Sequence, residues 1–372
     1  MHRITCIAGA LALGAGTAAA GGLDRSGQSV QVLFEEGNYA EFSFGSVSPN
    51  VSGVSVSVAP GTPSGDMADD YMVYGAAYKH DFGNGLAAAF IFDQPFGADT
   101  VYPVVPGYFA SGAQAKLDTN NVTMLLKYDL PVAQDSGSTF SVYGGPRYET
   151  LKASARIPFV AGYSAVASRS GALGYVLGAA WEKPDIAARV SLTYHSEVDH
   201  SLATTETSGP LGTNTSITNV SSPESVNLHA QTGIAPGTLL FGSVRWADWS
   251  DYVIAPSDYL VLTGGSPLLS YTDDTTTYSI GVGRRFNESW SGSLSYSYEP
   301  QANTLFTNLG PTDGQSSIGV GLKYTVGEIE ISGGLRYVWI GDTTTALAGA
   351  PGAQFNDNDA LALGLKVGIS LN

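Results

Sequence analysis

The sequence predicts an all-β protein: an antiparallel up-and-down barrel of about fourteen strands that crosses a membrane. Three observations predict it. The last segment, ALALGLKVGISLN, sets Leu361, Leu363, Leu365, Val367, Ile369 and Leu371 against Ala360, Ala362, Gly364, Lys366, Gly368 and Ser370, so one flank of a strand is wholly apolar. Only 13% of residues are charged, and 46 glycines with many Ser and Thr fill the polar positions instead; soluble domains carry about 25%. A crowded lumen suits small and hydroxylated side chains better than unpaired charges. Finally, strand-length alternating segments are joined by short turns and long polar loops in strict alternation, the pattern of a barrel whose short turns are periplasmic and whose long loops are external.

From the N-terminus, residues 1–20 read as a secretory signal: His2 and Arg3, an apolar run from Ile4, and cleavage after Ala20. The only cysteine, Cys6, lies within it, so a mature chain would have no disulfide, thiolate ligand or cysteine nucleophile. Residues 21–38 do not alternate, and Val30, Leu33 and Phe34 behind Asp24 or Ser26 suggest a short helix, either plugging a lumen or lying on its rim. Residues 39–372 form the barrel, with strand centres near 43, 75, 90, 124, 145, 176, 192, 228, 244, 280, 295, 320, 334 and 365. The segments VTMLLKYDL, AARVSLTYHSEVDH, SGSLSYSYEP and SIGVGLKYTV alternate most clearly. Short turns fall at 80–85, 131–138, 182–185, 235–237, 286–289 and 326–328. Long loops fall at 49–68, 98–113, 153–167, 199–222, 251–272, 300–313 and 342–357. Tyr78, Tyr128, Trp181, Trp246, Trp249, Trp290 and Trp339 sit near strand ends, as an interfacial girdle would place them. The third strand is interrupted by Gln94-Pro95-Phe96-Gly97; proline donates no ladder hydrogen bond and glycine permits unusual backbone, so a kink is expected there.

Three further elements bear on identity. SPESVNLHAQTGIAPGTLLFGSVRWADWSD at 222–251 carries Pro223-Glu224 at a strand start and Trp246 and Trp249-Ser250 at the next strand's end. Tyr194, Ser196, Glu197 and Val198 form a Y-x-S-E-V element within 169–202, and TTTYSIGVGRRFNESWSGSLSYSYEP at 275–300 reads as a later hairpin. In these the chain resembles the FadL family of outer-membrane transporters for long-chain fatty acids and other hydrophobic compounds. The resemblance implies a monomeric fourteen-stranded barrel with an N-terminal hatch, external capture of the ligand, an interior apolar pocket, and sideways exit where the third strand is kinked, at Pro95, Phe96 and Gly97. Two departures stand out: residues 21–38 lack the Asn-Pro-Ala motif of many family hatches, and the sequence ends in Leu371-Asn372 without a terminal aromatic.

The expected function is passive uptake of hydrophobic small molecules, fatty acids or hydrocarbons, in the bacterial outer membrane, with lipid and lipopolysaccharide as surroundings and no cofactor. The net charge of −16 disfavours a nucleic-acid partner. A ligand carboxylate would need a cation or donor, and period-2 parity places Arg147, Arg189, Arg245, Arg285, Lys323, Arg336 and Lys366 on the lumen side. Of these Arg147, Arg189, Arg245, Lys323 and Arg336 are candidate head-group partners, with Phe34 and Phe109 as apolar contacts; lumen acids such as Glu149, Glu197, Glu299 and Glu330 are the competing partners. Tyr102, Val104, Val105, Tyr108 and Phe109, then Tyr259, Leu260, Val261, Leu268 and Leu269, offer a greasy external patch. His195, Glu197 and Asp199 would share one strand face beside His200, yet a solvated rim is the expected reading. No nucleophile elbow or His-Glu-x-x-His motif is present, so neither catalysis nor a metal is expected. Asn356 to Asp359 read as a polar loop rather than a cation site. The rivals are a general diffusion porin, an outer-membrane phospholipase-like barrel enzyme, and an adhesin or structural barrel without transport.

Overall fold

A computed structural model describes residues 23–131, 137–302 and 304–371; the signal read at 1–20 and residues 132–136 of a turn lie outside them. Fourteen crossings close into one sheet. They are β1 (Asn38–Asn50), β2 (Tyr71–Gly83), β3 in two segments (Leu86–Asp93 and Gly97–Val101), β4 (Gln114–Leu130), β5 (Thr139–Ile157), β6 (Tyr163–Lys183), β7 in two segments (Ala188–His195 and Val198–Ser208) and β8 in two segments (Gly212–Ser222 and Ser225–Ala235). The ring continues through β9 (Thr238–Ala247), β10 (Thr275–Arg285), β11 (Trp290–Glu299), β12 (Gln315–Val326), β13 (Ile329–Ile340) and β14 (Asn358–Leu371). The ring shuts where β14 pairs with β1, from Asn38↔Leu371 to Asn50↔Asp359 without a slip. Closure matters because a bilayer offers no partner to an unpaired N–H or C=O. No described helix is long and apolar enough to cross a membrane.

The outer wall is greasy all round. Leu361, Leu363 and Leu365 are 40–50% exposed while the alternate Ala360 and Ala362 are buried, so the apolar flank of the last segment faces outward. Phe42, Phe90, Leu126, Leu177, Ile280 and Leu294 continue this belt around the ring. Tyr78, Tyr128, Trp290 and Trp339 project outward near the strand ends. Trp249 does not: it is fully buried in the interior, because the chain turns inward after β9.

Turn chemistry sets which end is which. The β2–β3 turn holds Asn84 and Gly85 at φ of 53° and 76°, a left-handed region that Asn and Gly tolerate best. At the other end the connections are long and build a lid. A four-stranded patch joins Gly53–Ser55, Leu305–Phe306, Thr343–Leu347 and Ala350–Phe355, and a short helix, α1 (Ser257–Thr263), covers the β7–β8 side. Two of the expected loops are instead strand. Residues 153–157 and 163–167 prolong the β5–β6 hairpin, and 199–208 with 212–222 prolong β7–β8, because these stretches still alternate between buried and exposed positions.

Inside, apolar side chains fall into two clusters. The upper one packs lid residues against the outer ends of β3 to β8 and of β1, β9, β13 and β14. The lower one gathers around Val30, Val32, Leu33 and Phe34 of the N-terminal segment. That segment is not an α-helix; its helical part is one 3-10 turn, Gln31–Phe34, with no side-chain cap. Asp24 does not cap it because its carboxylate is held elsewhere.

Candidate functional site: an apolar chamber beside a broken strand

The N-terminal segment runs across the lumen, and polar contacts fix its course. Arg245 of β9 grips Asp24 with two hydrogen bonds of 2.8 Å. Ser225 donates to Gln28 and Asn227 to the Gly27 carbonyl. Arg189 donates to Gln31 at 3.0 Å and stacks on the Phe34 ring at 4.6 Å, while Lys79 donates to the Glu35 carbonyl. Glu35 is half-buried below the seam, and burial pushes its carboxyl up to about 7, with Glu41 and Glu330 adding to the rise and Lys366 and Lys323 opposing it.

At its outer end the segment repairs the third strand. Gln94-Pro95-Phe96 leave the ladder, and the two halves of β3 resume on β4 at Asp93↔Asn121 and Gly97↔Asp118. The freed backbone groups find partners: Arg25 N–H donates to Pro95 O at 2.7 Å, Gly97 N–H donates to Leu23 O at 2.9 Å, and Phe96 N–H donates to Thr119 Oγ1 at 2.9 Å. Gly97 leaves room for the Arg25 guanidinium: a Cβ there would lie 2.4–2.6 Å from it and would displace that side chain. Arg25 is itself held by Asp99 at 2.6 Å and lies over the Tyr71 ring at 4.2 Å. Phe96 turns inward and meets Trp249 edge-on at 5.4 Å.

The kink parts the wall. β2 pairs with β3 only from Gly83↔Leu86 to Ala76↔Phe92, so Tyr71–Gly75 have a strand neighbour on the β1 side alone. One side chain spans the break: Gln94 Oε1 accepts the Tyr74 N–H at 2.9 Å. Farther out the edges meet again, through the Ala68↔Thr100 bridge.

Beside this break lies a chamber of about 50 Å³. Its walls are Ala98, Ala115, Ala153, Ala155, Ala165 and Ala167 from β3 to β6, with Leu117 and Leu202, and its lid is Ile254, Pro256, Leu268, Leu269 and Leu309. Thr204 and Thr218 also line it, but their hydroxyls bond each other at 2.8 Å, and the Lys116 ammonium is drawn outward to Asp99 at 3.0 Å. A water there would lack the two to four polar partners it needs, so the space suits an apolar guest. A second space of about 90 Å³ lies behind the break, bounded by Arg25, Val47, Met67, Tyr71 and Gly97. Leu23, Ala98 and Leu309 face both. The N-terminal segment therefore contributes the partition.

Of the basic residues singled out from parity, all but Arg285 face inward, and none lines the chamber. Arg147 and Glu149 are both fully buried and paired at 3.0 Å, with Ser222 and His200 completing the glutamate's contacts. Arg189 and Arg245 hold the N-terminal segment, Lys323 pairs with Glu330 at 2.8 Å, and Lys366 pairs with Glu41 at 3.1 Å. Arg336 faces the glycine- and serine-lined side of the lumen and makes no ion pair among the described residues. Arg285 lies exposed at the short-turn rim. Phe34 belongs to the lower cluster, edge-on to Tyr143, and Phe109 to the lid, stacked on Tyr108.

The His195 cluster is corrected by a strand break. β7 steps at Ser196-Glu197, which reverses its parity: His195 and His200 are buried, whereas Glu197 and Asp199 face out, so the three do not share a face, Glu197 is no lumen acid, and Val198 points inward. β8 steps at the same level, at Pro223-Glu224, and Tyr194 OH ties the two steps by donating to Glu224 at 2.6 Å. No metal-holding group of three or more acids, histidines or cysteines occurs among the described residues. Asn358 opens β14 and accepts the Ser52 N–H.

The alanine lining escaped sequence reading, though a signal exists. Along β5 the outward positions change from Phe140, Val142 and Tyr148 to Lys152, Ser154 and Arg156, while the inward ones change from Arg147 and Glu149 to Leu151, Ala153 and Ala155. This inversion marks the height at which the strand leaves the hydrocarbon.

A closed transmembrane barrel, crossed by its own N-terminal segment and broken at the third strand, is thus the class of protein at hand. Neither a protein-family model nor a curated protein matches the chain. Its fold is shared with a Pseudomonas aeruginosa FadL homologue, at TM-score 0.76 and 13% identity over 97% of this chain and 98% of that one. It is also similar to the P. putida toluene transporter TodX (TM-score 0.62, 12% identity, 92% of each chain) and the Ralstonia pickettii toluene transporter TbuX (TM-score 0.62, 13% identity, 96% and 97%). The barrel shares its fold with these solved structures, as the resemblance implied.

Proposed function

We propose that this barrel takes up apolar small molecules passively across the outer membrane. A ligand enters at the alanine-lined chamber, and movement of Leu23 with the N-terminal hatch joins the chamber to the space behind the β2–β3 break, giving a hydrocarbon the room that about 50 Å³ alone does not. The ligand then leaves sideways into the bilayer. The observation that carries this reading is the position of an apolar chamber against the one wall segment where β2 lacks its β3 partner. Of the two expected ligand classes, an uncharged hydrocarbon is the better match, because the chamber lining offers no free cation: Arg147, Arg189, Arg245 and Lys323 are engaged, and Arg336, which has no ion pair among the described residues, does not line the chamber. The toluene transporters of similar fold support that preference.

Uptake of a radiolabelled alkane or monoaromatic, beside labelled oleate, tests it in cells with and without the protein. Replacing Gln94-Pro95 by Val-Thr lets the strand pair through the break, and Ala155→Phe fills the chamber. Each variant should cut hydrocarbon uptake by about tenfold or more while assembling normally. Uptake that survives both changes, or that never depended on the protein, would refute the transport reading. High ion conductance of the wild type in planar bilayers would favour a diffusion porin instead.

A further inference from the structure

The long hairpins carry a feature unrelated to the chamber. On a chain of net charge −16, the outward face of the β4–β6 extension gathers Lys116, Lys152, Arg156 and Arg169, all exposed. Every other described Lys or Arg lies in the lumen or at the short-turn end of the barrel. The external loops add none. Cations scattered for solubility would not be confined to one flank in this way.

Register brings the four together. Arg156 pairs across to Gln114 and Ser164, Lys116 to Ser154, and Lys152 to Asp118. Arg169 projects from the β6 bulge and donates to Thr150 Oγ1 at 2.7 Å. Between Lys116 and Arg156 lies an outward hollow of about 400 Å³, lined also by Val101, Gln114, Ser154 and Ser164. The nearby acids are insufficient to neutralise the patch. Asp99 is shared between Lys116 and buried Arg25, Asp69 also faces Lys116, Asp118 takes Lys152 at 3.1 Å, and neither Arg156 nor Arg169 has a carboxylate partner among the described residues.

The height of the patch identifies its partner. Tyr148 and Leu173 mark the upper edge of the apolar wall. Lys152 lies four positions beyond Tyr148 and Arg156 eight, which is roughly 13 and 26 Å along the strand, or roughly 10 and 20 Å above the hydrocarbon at the usual tilt. Phosphates borne on the sugars of an outer-leaflet glycolipid occupy that zone, and guanidinium forks with neighbouring hydroxyls and amides suit their oxygens. We propose that Lys116, Lys152, Arg156 and Arg169 form a docking site for the phosphorylated sugars of lipopolysaccharide, whose acyl chains lie along the wall below. The site rests on the outer-membrane reading, with the long connections outside.

The full-length protein, purified in mild detergent from lipopolysaccharide-bearing membranes, should retain the glycolipid after extensive washing. A variant carrying Lys116→Gln, Lys152→Gln, Arg156→Gln and Arg169→Gln should retain about tenfold less, with unchanged heat-modifiable migration showing an intact barrel. Dephosphorylated lipopolysaccharide should not rebind, and phosphatidylglycerol should not compete. Equal retention by the variant, equal rebinding after dephosphorylation, or equal competition by phosphatidylglycerol would overturn the site. A wild-type protein that fractionates away from such membranes would overturn the membrane reading, and the site with it.

Discussion

The seam between β14 and β1 and the wall between β2 and β3 are neighbours built to opposite ends. The seam pairs residue for residue from Asn38↔Leu371 to Asn50↔Asp359, even though it joins the two ends of the barrel sequence. The β2–β3 contact stops at Ala76↔Phe92, even though its strands are joined by a tight turn. Loop-closure cost would favour the reverse. Local sequence decides instead: Gly45 and Gly364 meet within an alternation whose single proline, Pro49, sits near its outer end opposite Ala360, whereas the Gln94-Pro95-Phe96-Gly97 run takes three residues out of the ladder. The N-terminal segment links the two regions, with Leu23 and Arg25 bonded into the break and Glu35 beneath Lys366 and Glu41 of the seam.

The harshest way to break the comparison is a proline in the seam. Gly45→Pro removes a ladder donor between two paired strands and should cost about 3 kcal/mol or more, abolishing the folded, heat-modifiable band. Pro95→Ala, at the break, should leave that band in place; equal sensitivity of the two would mean the break is as tightly built as the seam. The next largest effect is expected at the anchor beside the break. Asp24→Asn leaves the Arg245 guanidinium without its carboxylate, at a cost of about 3 kcal/mol. It should expose residues near 26–37 to limited proteolysis without altering the barrel band.

The smallest effect belongs to the seam end. Glu35 holds its proton more tightly in the folded protein, at about 7 against an ordinary 4.5. The native state thus binds more protons within that window, and docking of the segment should weaken as pH rises from about 4.5 to about 7, then level off. Hydrogen-exchange protection at Val32 to Phe34 measures this, and Glu35→Gln should flatten the dependence. A protection that instead rose with pH would contradict the burial argument.

Much of the barrel was legible because hydrocarbon imposes one rule on every strand: outward positions are apolar at period two. Leu361 to Leu371 and Leu294 to Tyr298 obey it without exception. The kink at Pro95 was legible because Pro95 and Gly97 interrupt one alternating run together, where the lone prolines of other strands, Pro49 and Pro146, leave pairing intact. What eluded reading lies where the rule reverses or slips. Residues 153–167 looked like loop because their polar side chains face out and their alanines face in, above the membrane. Glu197 and Asp199 were placed on the face of His195 from one continuous strand, and the step at Ser196 turned the second half over. Trp249 resembled a girdle residue by its spacing from β9, yet Phe96, Tyr252 and Tyr271 enclose it. Sequence spacing carries no record of such long-range packing. The candidate head-group cations had the correct parity, but their partners, such as Asp24 for Arg245, come from distant chain.

Gln94 deserves a last thought for the kind of fastening it makes. Its amide stands in for a missing backbone rung, accepting the Tyr74 N–H as a neighbouring strand would. A rung of that sort swings on its own torsions, on a timescale of picoseconds to nanoseconds, and its withdrawal tears no ladder. At this one place the hoop is latched rather than welded.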